Sequence, residues 1–519
     1  MISDPRRNVP LRDVRLSLRA RAAVNRAWKA TVRGPQATGW EDSLPAIRGQ
    51  IAARAALGTA IALYVALFSY WTLRNHYGFF TAGFDVGIFD QGMWLLSRFR
   101  DPFVTVLGLD LFGDHTSFFL LLLVPFYWLF PSTAVLLVAQ SVALGIAALP
   151  AFLVAREKLR DEWLAVGVAV AYLAHPAIGF TNFENFHPDA FEVPLVLFAI
   201  YFMLKRRWLP FGICVGLLLS IKEDVALLTF VLGIYVAVKY DRKVGLITAG
   251  VSALWFASTL LIILPAFNDV GTLDAWRLPS SQFGGIGGLI RTAFLRPWEI
   301  AGVAFGEDRP WYLWQLLAPV ALLCFLAPGL LLVAIGPLLS NLLSTFWYQH
   351  NIQYHYSTLI VPVLVAAAVF GVARFRNQTV RIALVVVMAS SSLVTAYLWG
   401  PNGRHPTPVA DLSSAFASAA RDGIELIPDD AAVSAHYSLI PHLTHRVHVY
   451  EFPNPWHATN WPDWSQEGER LPQASLIEYV FVAEDPNDPD YAAVLASIRD
   501  DFEVVYRAGD LVLLRKKGP

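Results

Sequence analysis

Apolar positions along this chain do not alternate with polar ones; they are gathered into blocks. Apolar runs occupy residues 51–73, 133–155, 162–179, 190–204, 208–220, 225–239, 244–265, 311–327, 330–347, 357–374 and 380–399. A helix that crosses a ~30 Å hydrocarbon core needs about 20 apolar residues, with roughly 17 as a practical minimum. A twelfth run, 116–130, falls short of that and stops at Phe130-Pro131. From Pro401 onward the pattern changes. Short alternating or compact runs predict strands at Ala431–Ala435, Arg446–Glu451, Tyr479–Ala483, Phe502–Tyr506 and Leu511–Leu514, with helices near Val409–Asp422, Ser438–Leu443 and Asp490–Asp500. The pattern as a whole predicts an α-helical polytopic membrane protein carrying a small C-terminal soluble α/β domain.

Basic loops give the spans a direction. If 116–130 does not cross, then Arg156-Glu157-Lys158-Leu159-Arg160, Lys205-Arg206-Arg207, Lys239-Tyr240-Asp241-Arg242-Lys243 and Arg374-Phe375-Arg376 all fall on the same side as the Arg-rich N-terminus. Positive loops mark the cytoplasmic side. The expectation is therefore about eleven crossings of the plasma membrane, with 116–130 lying on the surface or re-entrant. Residues 1–49 form a cytoplasmic tail, 50–400 the transmembrane domain, and 401–519 an extracytoplasmic domain. Long outside loops are expected at 74–132 and 266–310.

Composition agrees. The chain is 55% hydrophobic and 16% charged, where soluble domains carry about 25% charged residues. Net charge is −1, yet the first 50 residues hold ten Arg/Lys against four acids, and the last 120 hold nine against eighteen acids. Cys214 and Cys324 lie in separate apolar runs and read as packing residues, not as a disulfide framework. The first apolar run starts near Ile51 and is too long for a signal-peptide core. Walker, His-Glu-x-x-His and Gly-x-Ser-x-Gly motifs are absent, as is any Cys-rich metal cluster. Nucleotide hydrolysis and serine or zinc peptidase chemistry are unsupported. The basic residues mark cytoplasmic loops, so no nucleic-acid partner is expected.

This topology sends the unusual polar residues to one face. The outside receives Asp85, Asp90, Asp114 and His115 in the first loop, then Glu184, His187 and Asp189, then Lys222-Glu223-Asp224, and finally His350 and His355. Ionisable groups at membrane depth are costly and point to function. The arms 208–220 and 225–239 are each short, roughly 20 Å of helix, which would set Lys222-Glu223-Asp224 at the floor of a recessed cavity; mutual pairing of these charges is the simpler alternative. From Ile88 the spacing of Phe89, Met93 and Leu96 predicts an amphipathic helix at the membrane interface. Asp85 before it suits either a helix cap or catalysis. In 266–310, the run Gly284-Gly285-Ile286-Gly287-Gly288 with Arg277, Arg291, Arg296 and Arg309 suits closure over a lipid phosphate, or a plain surface loop. The stretch Ser434–Leu443 places a strand end before a short helix, which suits docking more than catalysis.

Four stretches carry a resemblance: Phe84-Asp85-Val86-Gly87-Ile88-Phe89-Asp90-Gln91; Asp114-His115-Thr116-Ser117-Phe118; Lys222-Glu223-Asp224; and Pro441-His442-Leu443-Thr444-His445-Arg446 followed by Tyr450-Glu451-Phe452-Pro453. Over about residues 50 to 515 the chain resembles the bacterial membrane family called domain of unknown function 2079, which looks related to the GT-C class of membrane glycosyltransferases. The resemblance implies transfer of a sugar from a polyprenyl-phosphate carrier to an extracytoplasmic glycan, lipid or protein acceptor. Such transfer needs a general base and positive charge or a metal at the leaving phosphate. On this reading Asp85 is the base, with Asp90 as substitute base or fellow metal ligand, and Lys222 binds phosphate. Glu223, Asp224, Glu184, His187 and Asp189 bind metal or sugar hydroxyls, and His355 joins the substrate- and phosphate-binding set. His115 falls where related enzymes carry a short His-Pro-type motif, but Thr116-Ser117 follow it here. A divalent metal fits the carboxylate and His set, with Asp85, Asp90 and His115 as candidates; no cofactor is fixed by the sequence.

Two other classes fit the same spans. A lipid-linked-sugar or small-molecule transporter or flippase would use the broken 208–239 hairpin, although no internal repeat accompanies it. A non-catalytic envelope-assembly scaffold would leave Asp85 and Lys222 dispensable.

Overall fold

The computed structural model describes residues 40–268, 281–483 and 489–518. By contacts the chain divides into Met1–Ala56 and Leu57–Pro519. Of the first unit only residues 40–56 are described, as the start of the helix Trp40–Tyr77. The Arg-rich segment before it lies outside the described residues.

All eleven apolar runs are helical in whole or part, because a backbone in hydrocarbon must satisfy its own hydrogen bonds. Among the described residues five helices are long and apolar enough to cross: Arg48–Tyr77, Ala134–Leu159, Arg242–Phe267, His355–Val372 and Gln378–Trp399. A sixth span is counted if Glu162–Leu173 and Pro176–Phe183, bent by 50° at Ala174-His175, act together. Pro176 explains the break: it supplies no N–H and disfavours a helical residue before it. Trp208–Leu219, Val225–Lys239 and Pro328–Leu342 are apolar but shorter. Run 116–130 forms two small pieces, Phe118–Leu122 and Val124–Leu129, and no continuous span.

Ile360–Val372 sits at the centre of the bundle, buried on nearly every side. Helices Val225–Lys239 and Arg242–Ser258 approach at backbone distance. A Cβ on Gly245 would lie 2.1 Å from the Ala237 nitrogen, and one on Gly233 2.5 Å from the Ala249 nitrogen. Small residues at such crossings allow dispersion contacts where lipid offers no hydrophobic drive.

The first loop is largely packed against protein. Its helix Ile88–Ser97 buries Ile88, Asp90, Gln91, Gly92, Met93, Leu95 and Ser97, so it does not rest on the membrane surface by one apolar face as the spacing alone predicts. A small antiparallel hairpin follows, β1 Phe103–Val104 and β2 Leu109–Asp110. The C-terminal region folds as expected into β3 Val433–Ala435, β4 Val449–Glu451, β5 Tyr479–Ala483, β6 Phe502–Ala508 and β7 Leu511–Lys516. Their order is β4-β3-β5-β7-β6, with β3 parallel to β4 and β5 and β7 antiparallel to β5 and β6. The tight Gly509-Asp510 turn, with Gly509 at φ 57°, permits the β6–β7 hairpin. The edge of β4 is covered by Thr105, whose hydroxyl donates to the Val449 carbonyl at 2.6 Å and accepts the Val449 N–H at 3.0 Å.

The loop after residue 265 departs from expectation. Gly284 takes a left-handed conformation and Gly285 opens the helix Gly285–Leu295, so the glycine run starts a helix. Arg309 is buried and donates to the Leu342 and Ser344 carbonyls, which commits it to the fold. Arg296 pairs with Glu299 at 3.0 Å. Arg277 lies outside the described residues.

Candidate functional site

The polar residues of five separate segments meet at one place. The first is the turn Gly83–Gly87. Phe84 is extended (φ −65°, ψ 136°) and Asp85 has φ 80° and ψ −92°. A positive φ at a non-glycine residue is strained and persists only where surroundings enforce it. The Asp85 carboxylate caps no helix: the Ile88–Ser97 helix has Gly87 at its cap position and no side-chain cap. Instead Asp85 faces the second segment. Its Oδ1 lies 3.4 Å from His187 Nε2, and its Oδ2 accepts from Asn185 Nδ2 at 3.3 Å. Asn185 also accepts the Ala82 N–H at 3.2 Å, tying the turn to the loop 184–191.

That loop is braced from the bundle. Gln140 donates to the Thr181 and Asn185 carbonyls and accepts the His187 N–H at 2.9 Å. His187 then stacks on His355, ring centroids 3.6 Å apart. His355 Nδ1 is 3.3 Å from Glu184 Oε2 and its Nε2 is 3.9 Å from Asp189 Oδ1. Asp189 Oδ1 accepts from Lys222 Nζ at 3.2 Å, and Lys222 lies over the Tyr356 ring. Beside Lys222, Glu223 Oε1 holds His115 Nδ1 at 2.9 Å, and Asp114 flanks the same ring at 3.6 Å. Asp85, Glu184, His187, His355, Asp189 and Lys222 are thus joined in one polar network, with the His115–Glu223 pair beside it at the next position along the chain from Lys222. The helices Trp208–Leu219 and Val225–Lys239 that carry the Lys222 turn have 12 and 15 residues. They are about 18 and 22 Å long at 1.5 Å per residue, as the short runs predict.

Exposure sorts the members. Asp85 and His115 keep 36% and 33% of their side chains accessible. Lys222 and Asp189 keep 9% each and His355 8%. The openings are therefore at Asp85 and His115, while Lys222 is an internal ion pair and not an open cavity floor. Its partner is Asp189, not its neighbours Glu223 and Asp224; Asp224 Oδ1 is buried without a hydrogen bond.

Burial works against a cationic His187, yet the Glu184 and Asp85 carboxylates win and raise it to about 9. Burial raises Asp85, but His187 and then His355 hold it below the usual carboxylate range. Asp85 is therefore held ionised, hydrogen bonded and part-exposed.

Two further readings from the sequence change. Asp90 is fully buried in a different place: it accepts from the Tyr127 hydroxyl at 2.6 Å and from Thr444, and sits 3.3 Å from His445. With both oxygens occupied, Asp90 joins the first loop to the C-terminal region and is no substitute for Asp85. The grouping of Asp85, Asp90 and His115 as metal ligands also fails, because each has its own separate partners. Among the described residues the ligand set that does converge is Glu184, His187 and His355, whose donor atoms all lie within 4.8 Å of one another. Asn185, Gln140 and Glu192, which accepts the Thr358 hydroxyl at 2.7 Å, are site or supporting residues that sequence reasoning missed. Asn185 stands in the same polar run as Glu184 and His187, which was its one available signal.

The family model described as predicted membrane protein (DUF2079) matches residues 75–509, spanning all four resembling stretches. The chain belongs to this family. Among curated proteins none matches it in sequence. Among solved structures it is similar to ArnT from Cupriavidus metallidurans bound to undecaprenyl phosphate, with a TM-score of 0.52 and 14% identity over 88% of this chain and 99% of that one. The apo state of the same ArnT gives a TM-score of 0.50 at 14% identity, with the same coverage. The DUF2079 chain is thus a multi-pass membrane protein with an ArnT-like, GT-C-like fold and a C-terminal mixed sheet.

Proposed function

We propose that this DUF2079 protein is a membrane glycosyltransferase that takes a sugar from a polyprenyl-phosphate carrier and passes it to an acceptor hydroxyl on the extracytoplasmic side. The observation that carries the reading is Asp85: a strained, ionised, part-exposed carboxylate, braced by Asn185 and His187 at the mouth of a buried polar network, in a fold shared with a protein solved with undecaprenyl phosphate bound. Asp85 accepts the proton of the acceptor hydroxyl as that oxygen bonds to the anomeric carbon. The sugar–phosphate bond breaks and the carrier leaves as polyprenyl phosphate. His115, the other open member, is placed to meet the departing phosphate as a cation, since Asp114 and Glu223 favour its charged form over the opposing effect of burial. Lys222 contributes positive potential from behind.

Glu184, His187 and His355 offer two imidazole nitrogens and one carboxylate oxygen, a donor set that suits zinc once the ion displaces the proton that His187 otherwise carries. An ion held there would supply positive charge next to Asp85. The polar face is extracytoplasmic and the N-terminus cytoplasmic, by the basic loops.

The test supplies the purified protein with undecaprenyl-phosphate-linked pentoses and hexoses and candidate glycan acceptors, and measures free undecaprenyl phosphate. Asp85→Asn keeps the shape and removes the base, and general-base catalysis is worth about 10²–10⁴-fold. Release at the wild-type rate in Asp85→Asn refutes the assignment. Movement of intact donor between leaflets without sugar loss establishes a flippase instead.

A further inference from the structure

The C-terminal region touches the Asp85 turn directly, and every polar residue around Asp85 in that motif is engaged with it. The Gly83 N–H donates to the Tyr437 carbonyl at 2.8 Å. Asp90 is gripped by Thr444 and His445. Gln91 donates to the Arg446 and Val447 carbonyls, each at 3.2 Å. Ile440 lies over the turn so closely that a Cβ on Gly83 or Gly87 would come within 2.9 Å of its side chain. These contacts leave Asp85 free to face His187.

One side chain in this contact stands apart. Glu451, at the end of β4, brings a carboxyl to the turn from the C-terminal side. A Cβ on Gly83 would sit 2.9 Å from Glu451 Oε2, so only the absence of that Cβ admits it. The Phe84 N–H is directed at the carboxyl, and Asp85 is its acidic neighbour. Yet Oε2 is fully buried and has no hydrogen-bond partner. A buried polar atom left unpaired costs about 1–3 kcal/mol and calls for a reason. A leucine here would fill most of the space without that penalty.

We propose that Glu451 is a positioning residue for Asp85, so that the C-terminal domain is part of the catalytic unit and more than an appendage to it. The carboxyl presses on the Gly83–Phe84 peptide and holds the turn that keeps Asp85 at φ 80°. The idea rests on Asp85 being the base. Burial and the Asp85 carboxylate together raise Glu451 to about 7, so the acid beside the base is neutral below that pH. Gln, of the same shape and without charge, is the matching substitute.

Two independent readouts test this on the full-length protein in lipid nanodiscs. The first is backbone hydrogen exchange over residues 79–92, which needs no substrate. The second is the kcat and KM for undecaprenyl-phosphate-linked sugar in the transfer assay. Glu451→Ala should speed exchange of the turn about tenfold and lower kcat at least tenfold, with KM within threefold and the melting temperature little changed. Glu451→Gln should restore both to within threefold of wild type. Gly83→Ala, which pushes on Glu451 from the other side, should reproduce the exchange change. Unchanged exchange in Glu451→Ala overturns the proposal, and so does faster exchange with wild-type kcat. If wild type shows no transfer at all while the exchange pattern is as stated, the turn-holding role stands and the transferase reading is what fails.

Discussion

Replacing Lys222 with Met removes the cation from a buried ion pair of the network. Lys222 Nζ and Asp189 Oδ1 are 3.2 Å apart. At an effective dielectric constant of about 20 that separation corresponds to about 5 kcal/mol of attraction. Desolvation of both ions offsets much of it in the intact protein. Removing one partner is different, because Asp189 is left ionised and buried without its cation, and such losses run to about 3–5 kcal/mol. Lys222→Met should therefore lower the thermal midpoint of the purified protein by many degrees, followed by tryptophan fluorescence in nanodiscs. Asp189→Asn should destabilise as well, and the Lys222→Met/Asp189→Asn double variant should lose clearly less than the sum of the two, as expected for groups in direct contact. Strict additivity, or a wild-type midpoint for Lys222→Met, would show that the pair does not hold the site together. A midpoint that stays unchanged while the donor KM rises would return Lys222 to a role in phosphate binding.

Other measurements reach the remaining claims. Reporter fusions after Leu159 and after Asn402 should report inside and outside respectively; the reverse at either point breaks the topology. Purified protein should retain a divalent ion, detected by elemental analysis, that is lost in His187→Ala and His355→Ala; equal metal content in all three removes the metal reading. For Glu451, folding with a carboxyl raised from 4.5 to about 7 means that the folded state binds the extra proton, so its stabilising contribution is present below pH ~4.5 and fades as pH rises through about 7. Wild type should lose melting temperature relative to Glu451→Gln between pH 5 and 8, and parallel profiles would contradict a raised Glu451.

By itself the sequence determined the membrane character, the helical runs and the five strands of the C-terminal sheet. Each follows from local chemistry: apolar blocks must become helices in lipid, and β-branched and aromatic runs between turn residues become strands. It also named Asp85, Glu184, His187, Asp189, Lys222, Glu223, His115 and His355, because ionisable residues are conspicuous among apolar spans. What it did not hold was the pairing. Lys222 stands next to Glu223 and Asp224 in the chain, yet it bonds Asp189, thirty-three residues away. Asp90 lies five residues from Asp85 and belongs to another set of partners. Such choices depend on how helices and loops distant in the chain are brought together, and a linear order carries no record of which face each side chain meets. The same holds for Glu451. In the sequence it is one acid at the end of a strand; only the docking of β4 against the first loop, with no Cβ on Gly83 to block it, brings its carboxyl to the Asp85 turn.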